Sequence, residues 1–153
     1  MTKVAIVMGS AKDQPKMQAA VDTLTRFGVE HEVRVLSAHK TPDAAFQFAE
    51  TAADQGFSII IAGAGKAAHL AGVMAAKSLL PVIGVPLSAA LQGLDALLAT
   101  VQMPTGIPVA TVAVDGSANA ALLAVAILAL NNEGLATKLA GYREELAEQT
   151  QSQ

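Results

Sequence analysis

The chain predicts a three-layer α/β sandwich. A five-stranded parallel sheet, in the flavodoxin-like order 2-1-3-4-5, lies between helices, and further helices close the C-terminal end. Three observations carry this expectation. Val4–Met8 and Ser58–Ile61 are apolar on both faces, as strands covered from above and below must be, and Pro81–Val85 is a further short strand. Strand-like and helix-like stretches alternate along the chain, and a crossover helix between neighbouring strands makes them parallel. The 153 residues contain no linker, repeat or low-complexity segment, and 52% of them are hydrophobic, enough for one core and one domain.

The elements follow in order. Val4–Met8 ends at Gly9-Ser10. A helix runs from about Gln14 to Phe27, with Asp13 as N-cap, Pro15 in the first turn, and Met17, Ala20, Val21, Leu24 and Phe27 as its apolar stripe; Gly28 stops it. His31–Leu36 mixes polar residues with Val33 and Val35, which suits an outer strand, and leads into Ser37-Ala38-His39. Thr41 caps a second helix with Pro42 at its first position, and Ala45, Phe46, Phe48, Ala49 and Ala52 face the sheet until Gly56. After Ser58–Ile61, Gly63 and Gly65 allow positive φ and close backbone approach and predict a tight loop before a helix from His69 to about Ser78. The fourth strand ends in Pro86-Leu87-Ser88, a short helix spans Gly93–Thr100, and the Met103–Pro108 loop leads to a fifth strand near Val109–Val114. Asp115-Gly116 marks a turn, and Ser117 caps a helix through Ala120–Asn131 that is apolar nearly all round and expected to be buried on every side. From Glu133 a last helix carries Leu135, Leu139, Tyr142 and Leu146 on one stripe, and the tail after Glu148 is expected to be disordered.

Composition narrows the function. Charged residues make up only 15% of the chain, against about 25% in an average domain. That leaves too few charges to cover a monomer, so a homo-oligomer is expected. Aromatics at 3% and a net charge of −3 argue against nucleic-acid binding, which needs stacking platforms and a basic footprint. The absence of cysteine excludes a disulfide framework and thiolate metal sites and suits a reducing cytoplasm. His31, His39 and His69 show no metal-ligand spacing, so no metal is expected. Val4–Met8 is too short for a signal-peptide core, and the longest apolar run, Ala120–Leu130, is too short to span a membrane, which needs roughly 18 residues.

In a parallel sheet all carboxyl ends share one edge, so Gly9-Ser10, Ser37-Ala38-His39, Gly63-Ala64-Gly65 and Pro86-Leu87-Ser88 converge there. The first and third loops meet at the topological switch point, where ligand crevices form. Hydroxyls of Ser10 and Ser37 and the charge of Lys40 suit a phosphate, and Asp13 can accept from sugar hydroxyls. His39 is the one group there that titrates near neutrality unaided, a general acid or base unless it only packs at a strand end. His31 has no evident partner, and His69 can either orient the loop or react. Nucleophile elbow, Walker loop, GxGxxG and a carboxylate cluster for Mg²⁺ are all missing from the sequence. The residues alone describe an acid/base site for a phosphorylated small molecule.

The blocks VAIVMGS, SAHKTP, IIAGAGKAAHLAG, PVIGVP, VQMPTGIPVATVAV and NAALLA, nearly end to end and in this order, resemble the N5-carboxyaminoimidazole ribonucleotide mutase family of purine biosynthesis. The resemblance implies a flavodoxin-like fold, a homo-octamer, a ribonucleotide substrate and carboxyl migration without a cofactor. By the same resemblance Ser10, Asp13, Ser37 and Lys40 contact phosphate and ribose, His39 is catalytic, and Ala64, Gly65 and His69 surround the reacting carboxylate. The chain departs from the family pattern at Lys40, where arginine is usual, at Lys66, where glycine is usual, and at Ala71, where proline is usual. Its first loop reads GSAKD rather than GSxSD, and the turn at Asp115-Gly116 is shorter. SAHK also occurs in related enzymes that carboxylate with CO₂ directly, while the GAG loop and AAHL match the mutase. Mutase, direct carboxylase and a ligand-binding paralogue without turnover are therefore three distinct readings, and Lys66 reads as a solvated loop lysine.

Overall fold

The computed structural model describes residues 3–153, in which five parallel strands form one sheet in the order β2-β1-β3-β4-β5. The strands are β1 (Lys3–Met8), β2 (Glu30–Val35), β3 (Phe57–Gly65), β4 (Val82–Leu87) and β5 (Ala110–Thr111). Between and after them lie α1 (Gln14–Phe27), α2 (Pro42–Thr51), α3 (Leu70–Lys77), α4 (Leu94–Val101), α5 (Ser117–Ala129) and α6 (Glu133–Gln151). The predicted fold class and strand order are those observed.

The period-two pleat divides the core into two layers. Val4, Ile6 and Met8 of β1 share one face with Ile59 and Ile61 of β3, packing on Met17 and Leu24 of α1 and on Ala120, Ala124 and Val125 of α5. Ala5 and Val7 face the other way with Ile60 and Ala62, against Phe48 and Ala49 of α2 and Leu70 and Met74 of α3. Burial of each such Ile or Leu stabilises the fold by about 1.5–3 kcal/mol before entropy is counted. β1 and β3 are covered on both faces, and the loops at their carboxyl ends start from this doubly covered centre of the sheet.

The structure corrects several local expectations. Gly63 and Gly65 do not turn the chain: β3 runs through them, in register with Val85 and Leu87 of β4, and the left-handed residue is Lys66, at φ 54°. Gly63 serves the close approach that is the other use expected of it, since a Cβ there would lie 2.4 Å from Met17 Sδ. The fifth strand is only two residues long, because its ladder to β4 extends no further than Ile83 and Gly84. Helix α5 is not buried all round. Ala120, Ala121, Ala124 and Val125 are covered, but Leu130 just beyond it is 81% exposed, as fits a helix in an outer layer with one side on the sheet. The segment after Glu148 is helical through Gln151, closed by Ser152 N–H donating to the Glu148 carbonyl at 3.1 Å.

The predicted caps also act differently. Asp13 and Thr41 occupy N-cap positions without a capping side-chain bond, and Ser117 is the first residue of α5, its hydroxyl donating to the Lys16 carbonyl at 2.7 Å. Ser10 does cap, at the start of a single 3₁₀ turn over Ala11–Asp13.

Candidate functional site

The loops following β1, β2 and β3 enclose a cleft of about 520 Å³, within the range of small-molecule sites. Its floor is the switch point, where the Gly9 N–H reaches the Gly63 carbonyl across the sheet. Ser10, Asp13, Ser37, His39, Lys40, Ala64, Gly65 and His69, nominated from the sequence, all line it.

The first two loops repeat one device. Ser10 Oγ accepts from the backbone N–H of Lys12 at 3.2 Å, and Ser37 Oγ accepts from that of Lys40 at 3.0 Å. Each hydroxyl thus uses a lone pair to shape its own loop while its O–H has no acceptor recorded among the described residues. Each loop also places a lysine two or three residues after its serine. Thr41 fixes the second loop, accepting from the Ser37 N–H at 3.0 Å and donating to the Ser37 carbonyl at 3.1 Å. Two O–H donors beside two ammonium groups form an arrangement suited to a phosphate. Asp13, the cleft's carboxylate, is half-buried. Burial raises its pKa above the ordinary carboxylate range, while nearby Lys16 and a backbone hydrogen bond with Ser10 pull it back.

The third loop brings up the histidines. His39 Nε2 lies 2.7 Å from His69 Nδ1, and the rings meet edge to face with centroids 4.8 Å apart. His69 stands at the N-cap position of α3, reached through a tight turn in which Ala68 N–H donates to the Lys66 carbonyl and His69 N–H to that of Ala67. His69 thus touches His39 directly. His31 is remote from the cleft on β2, with Nδ1 2.8 Å from the Val29 carbonyl.

Two cleft lysines were not nominated from the sequence: Lys12, and Lys66, which reads there as a solvated loop lysine. For Lys66 the available signal was its place directly after Gly63-Ala64-Gly65. A left-handed backbone at a residue with a side chain costs about 1–2 kcal/mol, a cost that glycine does not carry. Beside the cleft, Asp115 accepts from the Ser88 N–H at 2.9 Å and from the Ser88 hydroxyl, and Lys16 donates to the Ser88 carbonyl. Burial works to raise the Asp115 pKa, but those two bonds and the Lys16 charge hold it below the ordinary range. Among the described residues no cluster of three His, Asp or Glu side chains suits a metal ion. No helix among them is long and apolar enough to cross a membrane.

Comparison with known proteins places these features in context. The AIR carboxylase family matches residues 3–149. The chain is similar to the N5-carboxyaminoimidazole ribonucleotide mutase of Pyrococcus abyssi, 54% identical over 147 residues, which are 95% of this chain and 84% of that protein. It is also similar to the chloroplastic phosphoribosylaminoimidazole carboxylase of Vigna aconitifolia, 49% identical over 148 residues, which are 96% of this chain but 27% of that longer protein. Among solved structures, PurE of Treponema denticola superposes with a TM-score of 0.88 at 29% identity, covering 98% of this chain and 94% of that one.

Proposed function

The chain belongs to the AIR carboxylase family, and we propose that it is the isomerase of purine biosynthesis that interconverts N5-carboxyaminoimidazole ribonucleotide and 4-carboxy-5-aminoimidazole ribonucleotide. The observation that carries this reading is the meeting of two serine–lysine loops with the His39–His69 pair in one cleft, in a chain that matches mutases over most of their length.

The chemistry balances on these residues. Protonated His39 gives its proton to the carbamate nitrogen as the N–CO₂ bond breaks, leaving CO₂ and the free aminoimidazole. C4 of the ring then attacks the CO₂ carbon, a C–C bond forms, and the C4 proton passes to His39, which ends as it began. No electron is exchanged and no proton is consumed, so the sequence of steps needs no cofactor. His69, hydrogen-bonded to His39, holds its ring in place. Ser10, Ser37 and Lys40 hold the phosphate, Asp13 accepts from ribose hydroxyls, and Ala64 and Gly65 leave room for the migrating carboxyl. Loops on three sides retain CO₂ long enough for recapture.

A second reading, direct carboxylation of aminoimidazole ribonucleotide by CO₂, is favoured by Lys40 in SAHK and by the carboxylase among the relatives. A third, a binding paralogue without turnover, is motivated by Lys40, Lys66 and Ala71. Incubating the protein with each carboxylated ribonucleotide, and separately with the uncarboxylated one plus bicarbonate, separates the three. The mutase converts the two carboxylated forms into each other without bicarbonate, the carboxylase needs bicarbonate and the uncarboxylated substrate, and binding without conversion in every mixture overturns the enzyme reading. The chain works in the cytoplasm as a single domain within a homo-octamer, a reading supported by its low charge fraction and exposed leucines.

A further inference from the structure

The cleft holds more positive charge than a phosphate needs. Lys12, Lys40 and Lys66 line it, none of the three is in an ion pair among the described residues, and Asp13 is the single acidic side chain facing them. Lys12 and Lys40 belong to the serine loops of β1 and β2. Lys66 belongs to the loop after β3, which offers no serine hydroxyl. It follows Gly65, at which a Cβ would come within 3.2 Å of the Leu87 carbonyl, a tight contact with backbone. Its backbone is left-handed, and its carbonyl accepts from Ala68 N–H at 2.8 Å in the turn that delivers His69. The cation is therefore built into the same short turn as one member of the titratable pair. A strained residue with a free charge at such a place points to a function for the charge.

We propose that Lys66 is a specificity-determining residue that recognises the ligand's carboxylate, making the cleft prefer a carboxylated ribonucleotide over its uncarboxylated counterpart; this rests on the ribonucleotide reading above. A ligand with both a phosphate and a carboxylate matches a cleft with two serine–lysine loops and a third cation in the turn that delivers His69 to His39. A charge-assisted hydrogen bond from the Lys66 ammonium holds the carboxyl beside His39 and His69.

The test compares dissociation constants, by calorimetry on the full chain, for 4-carboxy-5-aminoimidazole ribonucleotide and the uncarboxylated aminoimidazole ribonucleotide. The proteins are the wild type, Lys66→Met, Lys66→Gly and Lys40→Met. The wild type is expected to favour the carboxylated ligand. Both Lys66 variants should lose that preference by about tenfold or more, the effect expected for a hydrogen bond to a charged group, through weaker binding of the carboxylated ligand alone. Lys40→Met should weaken both ligands alike. Glycine suits the left-handed backbone, so Lys66→Gly separates loss of the charge from loss of the fold. A preference unchanged in both Lys66 variants, or equal weakening of both ligands by them, overturns this inference and leaves the ribonucleotide reading standing. A wild type that binds neither ribonucleotide overturns both.

Discussion

His39 Nε2 and His69 Nδ1 are 2.7 Å apart with their rings crossed at 88°, although thirty positions separate them in the chain. A hydrogen bond between two ring nitrogens needs one N–H and one lone pair, so the intact pair carries at most one positive charge. His39 Nε2 and His69 Nδ1 are engaged in that bond, so proton exchange with a ligand falls to the outer nitrogens, His39 Nδ1 and His69 Nε2.

This contact makes the two substitutions distinguishable. His39→Asn keeps shape and a hydrogen bond but removes acid/base capacity, so turnover should fall by about 10²-fold or more while ligand affinity changes little. His69→Asn should cost less in rate, because His39 keeps its acid/base capacity and loses only the neighbour that holds its ring. Steady-state kinetics across pH, with calorimetry for binding, check both. Normal turnover by His39→Asn would make His69 the proton carrier.

Strand order and cleft position were legible in the sequence because two-faced apolar runs such as Val4–Met8 have few places to go other than the centre of a parallel sheet. Glycine was less legible. Gly63 looks like a loop residue, yet its lack of a Cβ is needed for the approach of Met17 from α1, a partner that local pattern does not reveal. The contacts His39–His69 and Ser88–Asp115 join different loops, so no spacing rule could announce them. The disorder expected after Glu148 failed for a different reason: Gln149, Thr150 and Gln151 continue a helix already formed, which costs little once its earlier turns exist.

The sheet glycines yield a stability comparison. At Gly84 a Cβ would lie 2.4 Å from Thr100 Cγ2, 3.0 Å from Val109 Cγ1 and 3.3 Å from Ala71 Cβ, all on short or β-branched side chains. At Gly63 the nearest atoms are the flexible thioether of Met17. Gly84→Ala should therefore destabilise by about 1–3 kcal/mol, with Gly63→Ala milder because Met17 can change rotamer. Urea denaturation of both variants tests the order, and equal losses would contradict it.

Two carboxylates should give opposite pH dependences. The Asp115 pKa is lower folded than unfolded, so its stabilising contribution is present above the ordinary carboxylate value and disappears as pH falls through the depressed one. Asp13 is raised, so its favourable contribution exists at acid pH and is lost as pH rises through the raised value. Thermal unfolding should show Asp115→Ala less stable than wild type at pH 7, with the gap narrowing toward pH 3. Asp13→Asn should be more stable than wild type at pH 7, with that advantage also vanishing in acid. Parallel shifts at both pH values would show that the charges are not responsible.

The remaining prediction concerns assembly. Leu94, Leu98 and Val101 fall at i, i+4 and i+7 of α4, one stripe of the helix, and are 54%, 44% and 48% exposed, while Leu91 just before them is 74% exposed. Leu130 at the end of α5 adds a second uncovered apolar site. Single exposed leucines are ordinary, but a stripe on one helix in a chain this poor in charge is the composition of a subunit contact. Light scattering at micromolar concentration should give a multiple of the chain mass, eight being expected. Replacing Leu94 and Leu98 together by Asp should reduce that multiple while leaving far-ultraviolet circular dichroism unchanged, since both side chains point away from the sheet-facing Ala96 and Thr100. A wild-type protein that scatters as a monomer would count against the assembly, and an unchanged mass in the double variant would move the contact from α4 to the Leu130 end of α5.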